Sequence, residues 1–298
     1  MTVSGDTTEG RAYLDLRRLA KSQQRPTDEL LNLYALEGFL DRLTRSKYRS
    51  SLVLKGGVLL AAFDERRPTR DVDLYAMDLN NDSESVKRVV YEIAEVELDD
   101  GLLFDLDGIH AVTIREGDEY FGIRVTVPCR LASAVVSFHV DVNVGDAVWP
   151  TPTEVAVPRL LGGELRPIGY PVEMVVAEKY VTALQRGSIN TRWRDFADLY
   201  VLARRHQFEA TALRKSIVTV ATSREVIVTS LREAAPQYDE IAQPKWRAWV
   251  RKQGLEDRLP SDFASVITTV ESFIEPLWAD DNNEARWNPT SAEWQLSE

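Results

Sequence analysis

Residues 55–75 read KGGVLLAAFDERRPTRDVDLY, and the two ends of this stretch decide how the surrounding chain folds. Gly56 and Gly57 follow the apolar run SLVL at 51–54, which predicts a buried strand entering a glycine turn. Asp71 and Asp73 sit in an apolar frame with Val72, Leu74 and Tyr75, which predicts a second strand over 71–76. Side chains at i and i+2 of a strand leave the same face, so the two carboxylates emerge side by side. Like charges held close raise each other's cost of ionisation unless a cation intervenes. A turn offering backbone N–H groups, followed by a carboxylate pair, suits a metal–nucleotide site. The bland alternatives are a tight connection at the glycines and ion pairs from the aspartates to Arg66, Arg67 or Arg70. Either half alone favours the bland alternative; the combination shifts the reading toward a metal.

Outward from this stretch, apolar positions recur at helical spacing over 11–24 and 28–46, with Pro26, Thr27 and Asp28 as a start signal for the second. Helices are also expected over 58–64 and 82–98. Residues 109–115, 121–128 and 134–144 have the β-branched enrichment of strands, and Gly117-Asp118 suggests a hairpin between the first two. A Pro/Gly-rich connector runs from Pro150 to Pro171. Beyond it the chain reads as helices over 171–186, 192–206, 208–220, 223–234, 238–253 and 261–278, then a tryptophan-punctuated tail without a period. The expected organisation is an α/β N-terminal part, a boundary near 150–171 and an all-α C-terminal part.

The chain of 298 residues is 44% apolar and 28% charged, an ordinary globular balance. No apolar run is long enough to span a bilayer, and MTVSGDTTEG at the start resembles neither a signal nor a transit peptide. One cysteine, Cys129, excludes an intramolecular disulfide framework and is compatible with a reducing cytoplasm, while three scattered histidines argue against a His-based zinc site. A net charge of −11 argues against coating nucleic acid by bulk attraction. It leaves room for local basic patches, and arginine and lysine cluster at 66–70 and 186–194.

Two further constellations bear on the site. Asp141 lies on an apolar strand between Val140 and Val142; if that strand neighbours 71–76, three carboxylates meet and can hold two Mg²⁺ ions. His139 shares its face and is more simply a packed spectator. Lys179 lies in an apolar helix, and Asp195 and Asp198 fall at i and i+3 of another that begins at Arg192 and Arg194. The functional reading gives Lys179 a triphosphate and Asp195 a base or orienting role. The bland one is an inter-helix Lys–Asp ion pair with solvated arginines.

Together these elements resemble the AbiEii/AbiGii toxin family of the DNA polymerase β-type nucleotidyltransferase superfamily, in particular its mycobacterial toxins. The resemblance rests on Lys55-Gly56-Gly57, Arg67-x-Thr69-x-Asp71-x-Asp73, Asp141 with Gly145-Asp146, Lys179 with Ala183 and Leu184, and Arg192-x-Arg194-Asp195-x-x-Asp198-Leu199-Tyr200. It implies an α+β, bi-lobed protein: a mixed-sheet nucleotidyltransferase domain with flanking helices over 1–160, and an all-helical domain over 161–298 that contributes Lys179 and Asp195 to the site. It implies an NTP substrate, Mg²⁺, release of pyrophosphate, the tRNA 3′ end as acceptor with translation blocked, and a cognate antitoxin. Asp71, Asp73 and Asp141 are then the metal ligands, with Asp71, Asp73, Lys179 and Asp195 catalytic. Lys55, Gly56, Gly57, Arg67, Thr69 and Asp198 bind the nucleotide, and Arg186, Arg192 and Arg194 meet RNA. One departure is Val58, where many relatives place Ser or Thr. The remaining alternatives are transfer to a protein or a small molecule such as an aminoglycoside, and a non-catalytic module that binds the antitoxin.

Overall fold

The computed structural model describes residues 3–66, 68–77, 79–116, 120–145, 147–279 and 284–296. The chain divides into two compact units, residues 1–146 with 152–170, and residues 147–151 with 171–298. Gly117-Asp118, assigned above to a hairpin, lies outside the described residues.

The first unit opens with α1 (Thr8–Ser22) and α2 (Thr27–Arg45). The Thr7 side chain accepts from the Gly10 N–H and so caps α1, while Asp28 and Glu29 complement the start of α2. Next come β1 (Leu52–Lys55), α3 (Gly56–Leu59), β2 (Asp71–Ala76) and α4 (Ser83–Ala94), the last capped by Asp82. The expected helix over 58–64 starts two residues early and tightens to a 3₁₀ turn at Leu60–Phe63. Asp64 ends it in the left-handed region at φ 60°. Strands β3 (Leu102–Phe104), β4 (His110–Glu116), β5 (Tyr120–Leu131) and β6 (Ala134–Val144) follow. The connector holds four two-residue strands: β7 (Thr153–Glu154), β8 (Val157–Pro158), β9 (Glu164–Leu165) and β10 (Ile168–Gly169).

Among the described residues these build an eight-stranded mixed sheet in the order β3-β5-β6-β2-β1-β10-β7, with β4 also on β5, and a small β8–β9 pair. Strands β2 and β6 run parallel in a register that sets Asp71 opposite His139 and Asp73 opposite Asp141. The alternation is strict. Val72, Leu74, Val140, Val142, Val125 and Val127 are buried, each on the face opposite the carboxylates of its neighbours. Phe39 of α2 meets Phe138 of β6 edge to face at 5.9 Å, which anchors that helix to the sheet. Each such fully buried large side chain contributes on the order of 1.5–3 kcal/mol through lost apolar exposure.

In the second unit α5 (Val172–Arg186) and α6 (Trp193–Arg205) lead to β11 (Phe208–Glu209), α7 (Ala210–Ser223), α8 (Leu231–Ala234), α9 (Tyr238–Gln253) and α10 (Phe263–Ile274). The helix expected over 223–234 shrinks to its last turn. Glu225 adopts φ 53°, which closes α7, and the β-branched run Val226 to Thr229 resists helix. The unit is not purely helical. The tail forms β12 (Ala285–Asn288) and β13 (Glu293–Leu296), which join β11 in a three-stranded antiparallel sheet. Trp287 and Trp294 face each other across that hairpin, and Phe273 of α10 packs on both.

Candidate active site

The first unit assembles its functional side chains as one row across the sheet. Lys55 on β1 stands opposite Asp73 on β2, Asp73 opposite Asp141 on β6, and Asp141 opposite Arg124 on β5. Two cations thus flank two carboxylates, with Asp71 one pleat away on the same face. Both Asp141 oxygens are taken by Arg124, whose Nε and Nη2 donate at 2.8 and 2.6 Å. This bidentate fork holds the Arg124 guanidinium more basic than usual. The Asp71 carboxylate lies 3.1 Å from His139 Nδ1, so His139 is a hydrogen-bonding neighbour of the pair rather than a packed spectator.

Asp73 has the least comfortable charge. Burial, then repulsion from Asp141 and Asp71, pushes its pKa up to about 6, against the pull of Lys55 and one N–H from Gly57. The Gly57 N–H lies 3.4 Å from Asp73 Oδ2, so the turn's donor is aimed at the carboxylate. Gly56 has φ +66°, and a Cβ there would meet Asp73 Oδ2 at 1.9 Å. Glycine is required twice over, by conformation and by the carboxylate lying on its Cα. Gly56→Ala is therefore expected to destabilise the first unit by about 2–4 kcal/mol, combining left-handed strain with overpacking. Its thermal melt checks this, and a melt indistinguishable from the parent's would refute the close approach.

The bland partners of the aspartates do not materialise among the described residues. Arg66 donates to Glu37 at 2.7 Å, and Arg70 is exposed without an ion pair. Arg67 lies outside the described residues. Thr69 is buried and its hydroxyl approaches the Asp71 carbonyl at 3.4 Å. Val58 is buried in the core, so no phosphate contact draws on it. Lys55 is buried too, its Nζ 5.6 Å from the Tyr170 ring centroid.

The second unit groups the other expected residues. Lys179 on α5 donates to Asp195 Oδ1 at 2.9 Å and to Asp198 Oδ2 at 2.6 Å, both on α6. Arg192 donates through Nε to the other Asp195 oxygen at 2.5 Å. Burial alone would raise the Asp195 pKa, but Lys179 and Arg192 outweigh it and bring it to about 2. Arg186 is half-buried at the end of α5, and Arg194 is exposed in the first turn of α6.

The acidic groups can be weighed for an ion from their disposition. Among the described residues no three acidic, histidine or cysteine side chains converge closely enough to hold one unaided. Mg²⁺, however, commonly binds one or two carboxylates and completes its shell with water and substrate phosphates. Asp71 and Asp73, on one face and carrying an unrelieved repulsion, fit that mode. Asp141 fits it less directly, because Arg124 already occupies both its oxygens.

Arg124 is the candidate site residue that sequence reasoning missed. Its signal was present in the alternation of 123–127, which puts Arg124 on the polar face. The cross-strand register that makes Asp141 its partner was not readable from spacing.

The family model described as "Nucleotidyl transferase AbiEii toxin, Type IV TA system" matches residues 38–271. The fold is similar to that of MenT4, a nucleotidyltransferase toxin from Mycobacterium tuberculosis H37Rv, with a TM-score of 0.51 at 18% identity over 88% of this chain and 98% of that one. A putative nucleotidyltransferase from H. pylori gives a TM-score of 0.47 at 11% identity over 84% and 97%. No curated protein matches. Among the described residues no helix is long and apolar enough to cross a membrane.

Proposed function

We propose, from the premise that this chain belongs to the AbiEii family of nucleotidyl transferase toxins of type IV toxin–antitoxin systems, that it transfers a nucleoside monophosphate from an NTP to an RNA 3′ end. The acceptor class is tRNA, whose blocked end would no longer support translation. The observation that carries the reading is the row Lys55–Asp73–Asp141–Arg124 with Asp71 beside it, a cation-flanked carboxylate group on one face of the sheet.

In the proposed reaction the 3′-hydroxyl oxygen bonds to the α-phosphorus. The bond from that phosphorus to its bridging oxygen breaks, pyrophosphate leaves, and the hydroxyl proton passes to water. Asp71 and Asp73 would hold Mg²⁺, which when bound neutralises phosphate charge and orients the triphosphate. Lys55 and Arg124 bring positive charge to either end of the row, where developing charge on phosphate oxygens is stabilised. Arg124 is kept in orientation by its bidentate hold on Asp141. Gly56 lets the Asp73 carboxylate lie against the backbone.

In the second unit Lys179 is assigned to substrate phosphates. Asp195 is ionised and committed to two cations, which makes it a poor proton acceptor, so holding Lys179 is the role its surroundings favour. The family further implies an antitoxin partner.

Incubation with α-labelled NTPs and total tRNA tests the proposal. Label is expected in RNA with Mg²⁺ present and absent with chelator. No labelled RNA under any condition would overturn the RNA reading, and label in protein or in an aminoglycoside would redirect it to that acceptor.

A further inference from the structure

The four cations of α9 are not used by the reading above, and their placement is not that of a mixed solvated helix face. Tyr238, Ala242, Trp246 and Val250 form the buried stripe of α9. At about 100° per residue, Arg247, Arg251 and Lys252 fall on the arc opposite that stripe and Lys245 at its edge, and all four are exposed. From Ile241 to Leu255 there is no acidic residue, although the chain carries a net charge of −11. Among the described residues none of the four makes an ion pair; Arg247 adds only a minor pull on Asp262. Arg251 and Lys252 lie in the last turn, where they complement the helix dipole. Lys245 and Arg247 lie further upstream, where that explanation fails. Trp249 lies on the stripe's side of the helix, half-buried, its ring 5.4 Å from that of Trp246 at 30°.

We infer that the exposed face of α9 is a docking surface for the body of a folded RNA, with its cations on phosphates. The inference rests on the RNA-acceptor reading and adds where that acceptor is held. Phosphate contacts fix register without reading sequence, which suits a surface that holds an RNA body while chemistry proceeds at an end. On an acidic protein such a patch also confines the polyanion, because repulsion elsewhere disfavours other poses.

The test uses the full-length protein and total tRNA. The quadruple variant Lys245→Ala/Arg247→Ala/Arg251→Ala/Lys252→Ala alters only exposed positions, so it should fold as the parent does, its melt lower by no more than the loss of two dipole complements, about 1–2 kcal/mol. Its KM for tRNA is expected to rise by more than about tenfold, with kcat and the KM for NTP unchanged. The slope of log binding constant against log salt should become shallower by roughly three.

An unchanged tRNA KM in the quadruple variant, with the parent labelling tRNA normally, overturns the docking surface and leaves the RNA reading intact. If the variant instead loses only its hold on an acidic antitoxin, the surface belongs to that protein and the inference is overturned. tRNA that binds the parent through α9 but never accepts label supports the surface and refutes the transfer.

Discussion

Asp73→Asn is expected to remove nearly all nucleotide transfer and, in chelator at pH 7.5, to raise the melting temperature. The two effects share one cause. The carboxylate is buried and sits between Asp141 and Asp71, so its pKa is pushed up to about 6. A carboxyl group whose folded pKa exceeds its unfolded value opposes folding once the pH passes the unfolded pKa. The penalty is absent at pH 4, grows through the interval to about 6, and is complete at neutral pH. A shift of about two units corresponds to roughly 3 kcal/mol. Asparagine keeps the shape and can still accept from Gly57, while removing the charge.

Lys55 does not lose all compensation in the variant, because Asp71 remains on the same face. The stability gain should therefore be several degrees at pH 7.5 and vanish near pH 4. Transfer should fall by at least about a thousandfold, since an ion held by Asp71 alone is poorly placed. Melts in chelator at both pH values, alongside the labelling assay, check both parts. A variant less stable than the parent at pH 7.5 would mean that Asp73 is a structural partner of Lys55.

How much of this was legible follows from which interactions are local. The glycine turn, the Asp71/Asp73 alternation and the amphipathic helices depend on neighbours a few residues apart, and their residues announced them. The apolar frame marked Asp141 as lying on a strand, but that this strand neighbours the pair was only a condition of the reading, which the parallel β2–β6 register meets. Its partner Arg124 was not foreseen, because a one-residue slip of β5 would send that side chain to the other face. The three-stranded sheet of the second unit hid for a related reason. Its strands are two to four residues long, and Phe208 pairs with Trp287 far along the chain. The run 223–234 misled in the opposite sense: one helix is expected over it, but Glu225 in the left-handed region and the β-branched residues 226–229 break it. The basic arc of α9 was visible as residues, yet only the burial of Trp246 and Val250 shows which way the cations face.

Lys179→Met costs the second unit about 3–5 kcal/mol at neutral pH, in addition to any loss of transfer. In the parent, one ammonium serves two buried carboxylates on α6, at 2.9 Å to Asp195 and 2.6 Å to Asp198. Methionine fills most of the volume and removes the charge, leaving Arg192 as the one ion-pair partner of Asp195 that the substitution spares. The pH dependence separates this from a simple packing defect. Asp195 has a folded pKa of about 2, below its unfolded value, so it stabilises the parent above pH 4 and that contribution is lost as the pH falls toward 2. Without Lys179 the burial that opposes ionisation is less fully offset, and the folded pKa moves up. The stability gap between parent and variant is therefore widest at pH 7 and closes as the pH approaches 3. Urea melts across that range measure it, and Lys179→Met/Asp195→Asn should recover part of the loss at pH 7 because it removes one uncompensated charge. A pH-independent gap, or a single variant as stable as the parent at pH 7, would show that Lys179 does not hold α5 to α6 and that its worth lies in the chemistry alone.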